Sequence, residues 1–465
     1  MEKRFNRFAW AALLVSVFLI ARANAGGTVA FLSVLCVGLS FIVSPQTREV
    51  FVFRRITIAS FWYVTYLAMI FLPAFWVYAD QDGPYRGRYL FAVESVLITV
   101  PLGWKLACFV SGFRKSETES FFRRPISELR YADSLQRRYL VCLGIAAVFT
   151  ILYFRDVGTI PLFYLFRNPG DYLVLANLRE DSLKLLNSPF TYFYYVTRGV
   201  LYPFLILVSL GCYLRTRASR WRRIFGVTVC LGLLFASLSL AKSPVAAIFA
   251  MIGFFWYFYR GGQVRARVVA TLLICVLLFP VAVILSVSYG TNVSLLDALL
   301  GISTRMFYMP ASVVYYYFEV FPAHVGYLHG ASIAKLAWLL GWRYFDTAAY
   351  VGQYAFLGPV QSVIANGAFI GDLNADFGLV GVLLGGILTG WVMQAFHIFV
   401  VRKEKTVHMV ACYAFLVFAF WLLNSTSLPM VLASNGALLI VVMARWLERR
   451  PRLVSRSTLA SAPVR

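Results

Sequence analysis

Along the chain, long apolar runs alternate with short polar connections, and the runs are long enough to cross roughly 30 Å of hydrocarbon. The pattern predicts about twelve transmembrane helices, at 8–22, 26–44, 56–78, 89–110, 139–154, 190–214, 224–241, 243–259, 268–289, 377–401, 408–424 and 428–446. The two runs around Lys242 leave room only for a turn, which Lys242-Ser243-Pro244 supplies with a charge, a polar residue and a helix start. No repeat of fixed period interrupts the series. The expectation is an all-α polytopic integral membrane protein, one transmembrane domain over residues 1–465.

Composition supports this and excludes a soluble core: 60% of the 465 residues are hydrophobic, and the mean hydropathy is +0.74. A net charge of +23 would suit a nucleic-acid binder, but the cations sit in the connections between apolar runs. With the N-terminus inside, 30 of the 43 Lys and Arg residues fall on the inner side and 12 on the outer, counting Arg22, Arg198 and Arg445 with the nearer side, and Lys105 lies within a run. That asymmetry predicts an orientation with both termini cytoplasmic, and the expectation is a polytopic inner-membrane protein. Residues 1–25 have a basic start, an apolar stretch and small residues near Ala23, as a cleaved signal peptide would. A second apolar run follows at once, so the segment is assigned as the first helix. The seven cysteines lie in or beside apolar runs without metal-ligand spacing, and predict neither disulfides nor a zinc site.

Two outer connections are long, 155–189 and 290–376, and loops of that length are usually functional. The second is expected to carry membrane-face helices at 296–306, 312–321 and 331–340. The inner connection 111–138, with seven basic and four acidic residues, is expected to be an amphipathic connector.

Arg155, Arg167 and Arg179 lie in the first outer loop, Arg198 about two turns into the following helix, and Lys242 and Arg305 at two further outer edges. An arginine in hydrocarbon costs on the order of 3 kcal/mol at a helix centre, so it is normally paired or functional. An anion at the membrane boundary, such as the diphosphate of a polyprenyl-linked sugar, would explain several together, because guanidinium forks match its oxygens. The alternative for each is snorkelling, or an ion pair with Asp156, Asp171 or Glu180.

The second outer loop brings Glu319, His324, His329, Asp346, Asp372 and Asp376 beside a run of tyrosines that includes Tyr316. Sugar transfer to a hydroxyl wants one general base near the acceptor oxygen, and His324, Glu319 and Asp372 are the candidates. For Asp372 the alternative is a cap on the helix beginning at 377. The tyrosines suit sugar faces and equally the aromatic belt of any membrane protein. Asp80-Gln81-Asp82 has the spacing of a metal-holding carboxylate pair, or of a polar turn ahead of Gly83-Pro84.

Three stretches carry a family likeness: Gly158-Thr159-Ile160-Pro161-Leu162-Phe163 with Leu178-Arg179-Glu180 downstream; Tyr315-Tyr316-Tyr317-Phe318 through Phe321-Pro322 to Leu328-His329-Gly330; and residues 371–381, Gly-Asp-Leu-Asn-Ala-Asp-Phe-Gly-Leu-Val-Gly. In these the chain resembles the O-antigen polymerases, the Wzy-type oligosaccharide repeat-unit polymerases. It departs from them in having Lys242 where the family often has Arg, and Asp372 with Asn374 where it often has Glu and an aromatic. The resemblance implies a GT-C-like glycosyltransferase of lipopolysaccharide biosynthesis. It would join undecaprenyl-diphosphate-linked oligosaccharide units on the periplasmic face, with no cofactor and no obligatory metal. Arg179, Arg198, Arg305, Lys242 and Tyr316 would bind substrate, and a residue among Asp372, His324 and Glu319 would act on the acceptor. Donor and acceptor lipids, membrane lipids and a chain-length regulator are the implied partners, with no nucleic acid. An O-antigen ligase shares donor and compartment. A lipid-linked oligosaccharide flippase would want charges near the midplane of several helices, whereas Glu94 and Lys105 lie on one.

Overall fold

The computed structural model describes residues 2–43, 55–128, 132–168, 172–184, 188–262, 295–356 and 364–448. Among them every regular element is helical. Seven helices are long and apolar enough to cross a membrane: Ile58–Asp80, Arg86–Ser111, Asp133–Asp156, Thr191–Thr216, Ala368–Arg402, Val407–Asn424 and Leu428–Glu448. Shorter apolar helices occupy Ala11–Ala25, Gly27–Val43 and Ser243–Tyr259. The expected run at 224–241 is helical over Ser219–Ser237, and a turn with Leu240 at φ 52° leads into Lys242–Tyr259. The expected run at 268–289 lies outside the described residues. The inner connector forms one amphipathic helix, Lys115–Arg123, held at its start by Glu117, which pairs with Arg402 at 2.9 Å.

The backbones of Arg86–Ser111 and Ala368–Arg402 approach most closely. A Cβ on Gly103 would overlap the Ile387 carbonyl, and one on Gly390 would overlap that of Val100. Small residues permit this approach, which in a membrane replaces hydrophobic drive with close contact.

The late span corrects the expectation of a helix starting near 377. Helix begins at Ala368, and Gly378, at φ 66° and ψ −158°, breaks it into two arms. Leu373 lies against Gly381 and Gly385. In a straight helix residues 373 and 385 would stand about 18 Å apart, so the short arm folds back along the long one. Phe369, at the start of that arm, reaches the Trp62 ring at 6.0 Å. Only glycine adopts such a φ and ψ without strain.

Residues 296–306 and 312–321, expected as separate helices, form one helical run over 295–320. Its middle, Thr304–Tyr308, is a π-helical turn, in which the Met309 amide donates to the Thr304 carbonyl five residues back. Two spans contain the same device: Leu67–Phe71 ahead of Pro73, and Thr197–Leu201 ahead of Pro203. In all three a proline follows two residues after the widened turn. A proline ring collides with the carbonyl four residues back and has no N–H to give it. Widening the turn relieves the collision and lets the helix continue. The third expected membrane-face helix is shorter than predicted, Ala334–Leu339.

Candidate functional site

The face that the charge pattern assigns to the outside carries two groups of polar residues along the 295–320 run, an arginine end that starts at its central π turn and a carboxylate end at its C-terminus. At the arginine end Arg305 sits in the π turn, exposed. Arg179, on Tyr172–Lys184, is close enough that its pKa is lowered, first by desolvation and then by the like charge of Arg305, although it keeps an exposed edge. Neither guanidinium has a carboxylate partner among the described residues.

Arg198 lies on the adjoining corner. It donates to the Ser239 hydroxyl at 3.0 Å and stacks over Tyr195 at 5.3 Å. With Tyr153 and Ser182 it lines a cavity of about 10 Å³, no larger than a water. Tyr153 donates to the Ser182 carbonyl (3.4 Å), and the Ser182 hydroxyl donates to that of Arg179 (2.8 Å), so the short helix that carries Arg179 is fastened to the Tyr153 wall of the cavity. Ser239 stands in the turn before Lys242, which opens its helix at this corner; the Lys242 side chain lies outside the described residues.

Arg155 takes the plain alternative and pairs with Asp156 at 3.0 Å. Asp80 and Asp82 do not act as a pair: Asp80 accepts the Tyr308 hydroxyl at 2.8 Å, while Asp82 faces Arg86 at 3.7 Å. Burial, then Asp80, pushes the Tyr308 phenol up to about 12, so it stays a donor at neutral pH. Since Tyr308 is three residues from Arg305, the fold delivers a carboxylate to the arginine end. In sequence Asp80 drew notice only as a metal ligand, because nothing local links residue 80 to residue 308.

At the other end Glu319 and His324 meet through Tyr354. The Tyr354 hydroxyl lies 3.2 Å from Glu319 Oε1, to which it donates, and 3.2 Å from His324 Nε2. Burial and then the Glu319 charge raise the Tyr354 pKa, so the phenol remains protonated. Tyr316 packs nearby against Phe356 at 5.8 Å. At 1.5 Å per residue, Glu319 stands about 20 Å along the helix from Arg305. The base candidates and the arginines therefore do not meet at one atom.

Asp372 lies on the Glu319 side, near Tyr317 and the Thr347–Ala355 helix that carries Tyr354. It lies four residues inside the short arm, with Gly367 as the cap, so the capping alternative is overturned. It accepts the Thr347 hydroxyl at 3.1 Å. Its motif neighbours fasten the loop. Asn374 donates to the Tyr317 and Phe321 carbonyls at 3.3 and 3.4 Å, and accepts from Arg88 at 3.3 Å. Buried Asp376 accepts from Gly330 N (3.1 Å) and the Ser332 hydroxyl (2.6 Å). Much of the 371–381 signature thus holds residues 321–332 against the re-entrant arm.

The chain matches no family model, no curated protein and no solved structure.

Proposed function

We propose that the chain is an O-antigen-type polymerase, a GT-C-like glycosyltransferase that crosses the bacterial inner membrane about twelve times with both termini cytoplasmic. On the periplasmic face it joins undecaprenyl-diphosphate-linked repeat units. The acceptor hydroxyl attacks the anomeric carbon of the donor, the bond to the diphosphate breaks, and the hydroxyl proton passes to a base.

The observation that carries this is the nearness of Arg179 to Arg305, one from each long outer loop, with no ion-pair partner for either among the described residues. Two like charges held together are stabilised by an anion between them, and a departing diphosphate gains charge as its bond breaks. Arg198, stacked and hydrogen-bonded, holds the corner in shape. A base must come within hydrogen-bond reach of the acceptor. We assign that role to Asp80, fixed by Tyr308 beside Arg305, ahead of Glu319, His324 and Asp372. The Glu319–Tyr354–His324 group, about 20 Å along the helix, suits a sugar farther along the oligosaccharide, with Tyr316 as an apolar wall.

The test is a deletion strain complemented with Arg179→Ala, Arg305→Ala or Asp80→Asn and scored by gel for surface polysaccharide. Core capped by a single repeat unit, with protein level unchanged, is the expected result. Bare core would indicate a ligase or flippase instead, and full-length chains in all three variants would remove the site.

A further inference from the structure

A second polar site lies on the opposite face, where the charge pattern puts the cytoplasm, and nothing in the proposed polymerase chemistry uses it. A cavity of about 380 Å³ opens between Arg86–Ser111, Lys115–Arg123 and the inner end of Ala368–Arg402. That is within the range of pockets that hold small organic ligands. Three cations line it, Arg55, Lys105 and Lys115, against one carboxylate, Glu119. Glu119 is itself drawn toward Arg123 at 3.8 Å. Lys105 has no carboxylate partner among the described residues, although it stands six residues inside the end of an apolar helix.

The wall opposite contributes a further unmet demand. Gln394 is 1% exposed; its Nε2 donates to Cys108 Sγ at 3.3 Å, and its Oε1 is buried without a hydrogen-bond partner among the described residues. Whichever way the amide is turned, one of its polar ends stays unmatched beside the cavity. His397 beside it is already engaged by Thr118 (3.1 Å) and Tyr413 (2.7 Å).

The entrance is apolar. Leu102, Leu106 and Phe109 form one exposed stripe on Arg86–Ser111, with Phe109 84% exposed, and Phe109 also lines the cavity. The stripe follows the i, i+4, i+7 spacing of a lipid-facing helix side. An aqueous anion has no use for it, whereas an amphiphile lays its chain along it and its headgroup among the cations. Ordinary loop cations would explain the sign of the charge but neither the cavity nor the unmatched amide.

We propose that this cavity binds the anionic phosphate headgroup of an amphiphile drawn from the inner leaflet. Basic pockets between helices on this side of a membrane have the right character for phosphate headgroups. Lys105 and Arg55 take the phosphate oxygens.

The experiment uses the full chain in detergent, followed by native mass spectrometry with phosphatidylglycerol, undecaprenyl phosphate, phosphatidylcholine and inorganic phosphate. The intact protein should retain the two anionic lipids over phosphatidylcholine. Lys105→Gln and Arg55→Gln should each weaken that retention about tenfold, the loss of one charge-assisted contact, while Arg155→Gln on the other face, where Arg155 is already paired with Asp156, changes nothing. Preference for undecaprenyl phosphate over phosphatidylglycerol would identify a polyprenyl source, and equal retention a bulk phospholipid; either supports the site. Unchanged retention in both variants, or displacement of the lipid by inorganic phosphate at equal concentration, overturns it. If Lys105→Gln does not fold, Arg55→Gln, outside the spans, carries the test alone.

Discussion

Thr197–Pro203 and Thr304–Pro310 share a pattern, Thr-Arg, four largely apolar residues and Pro, and they share a backbone, a π turn closing two residues before the proline. Their arginines nevertheless have different surroundings. Arg198 is half-buried, bonded to Ser239 and stacked on Tyr195, whereas Arg305 is exposed and faces Arg179. One local device thus gives two outcomes: where neighbours close around the guanidinium it braces a corner, and where a second arginine approaches it leaves the guanidinium exposed. The third π turn, Leu67–Phe71, has Ala68 at the arginine position and no charge to present.

The largest effect that would break this contrast is expected from Arg305→Ala. Losing a donor to developing charge should lower polymerisation by about 100-fold or more, with unchanged protein level, read from chain length on gels and from purified enzyme. Arg305→Lys keeps the charge without the fork and should recover only part of the rate.

Arg198→Ala should act first on stability. It strands the fully buried Ser239 hydroxyl, at a cost of about 1–3 kcal/mol, visible as a lower melting temperature in detergent. A variant as stable as the parent but without activity would place Arg198 with Arg305 instead of apart from it.

The two ends of the 295–320 run separate next. Asp80→Asn should stop turnover while donor retention persists, whereas Glu319→Gln and Tyr354→Phe should weaken binding of the oligosaccharide and leave the maximal rate nearly intact. A dead Glu319→Gln enzyme beside an active Asp80→Asn enzyme would move the reacting bond to the far end.

The smallest change tests the π turn itself. Pro310→Ala removes the reason for widening, and relaxation to α-helix would rotate Arg305 by about 100° relative to the residues after it. A several-fold loss of activity is expected, against none for Pro73→Ala, whose turn carries no charge.

Several features were legible without coordinates. The apolar runs announced the helices, since only a helix satisfies its own backbone in hydrocarbon. The placement of Arg179, Arg198, Arg305 and the carboxylates in or beside the two outer loops was equally plain. The re-entrant arm was not: residues 368–376 read as loop because they are mixed in polarity, and their packing as a separate arm depends on Gly378 reversing the chain and on Leu373 finding Gly381 and Gly385. Asp372, given weight by its motif, turned out to accept a threonine hydroxyl while Asn374 and Asp376 fasten the loop.

By itself the sequence determined the helical class, the membrane as solvent and which residues carry charge, because hydropathy over one span and the cost of burying a cation are local quantities. Tertiary structure decided partnership. Pro73, Pro203 and Pro310 follow π turns, yet Pro101 lies inside Arg86–Ser111 with no such turn among the described residues, so packing around a proline helps choose its backbone. Arg179 comes near enough to Arg305 to feel its charge, Asp80 meets Tyr308, and Glu319 meets His324 through Tyr354. Apart from the last pair, these residues are far apart in sequence, and spacing along a chain holds no information about which distant side chains come together.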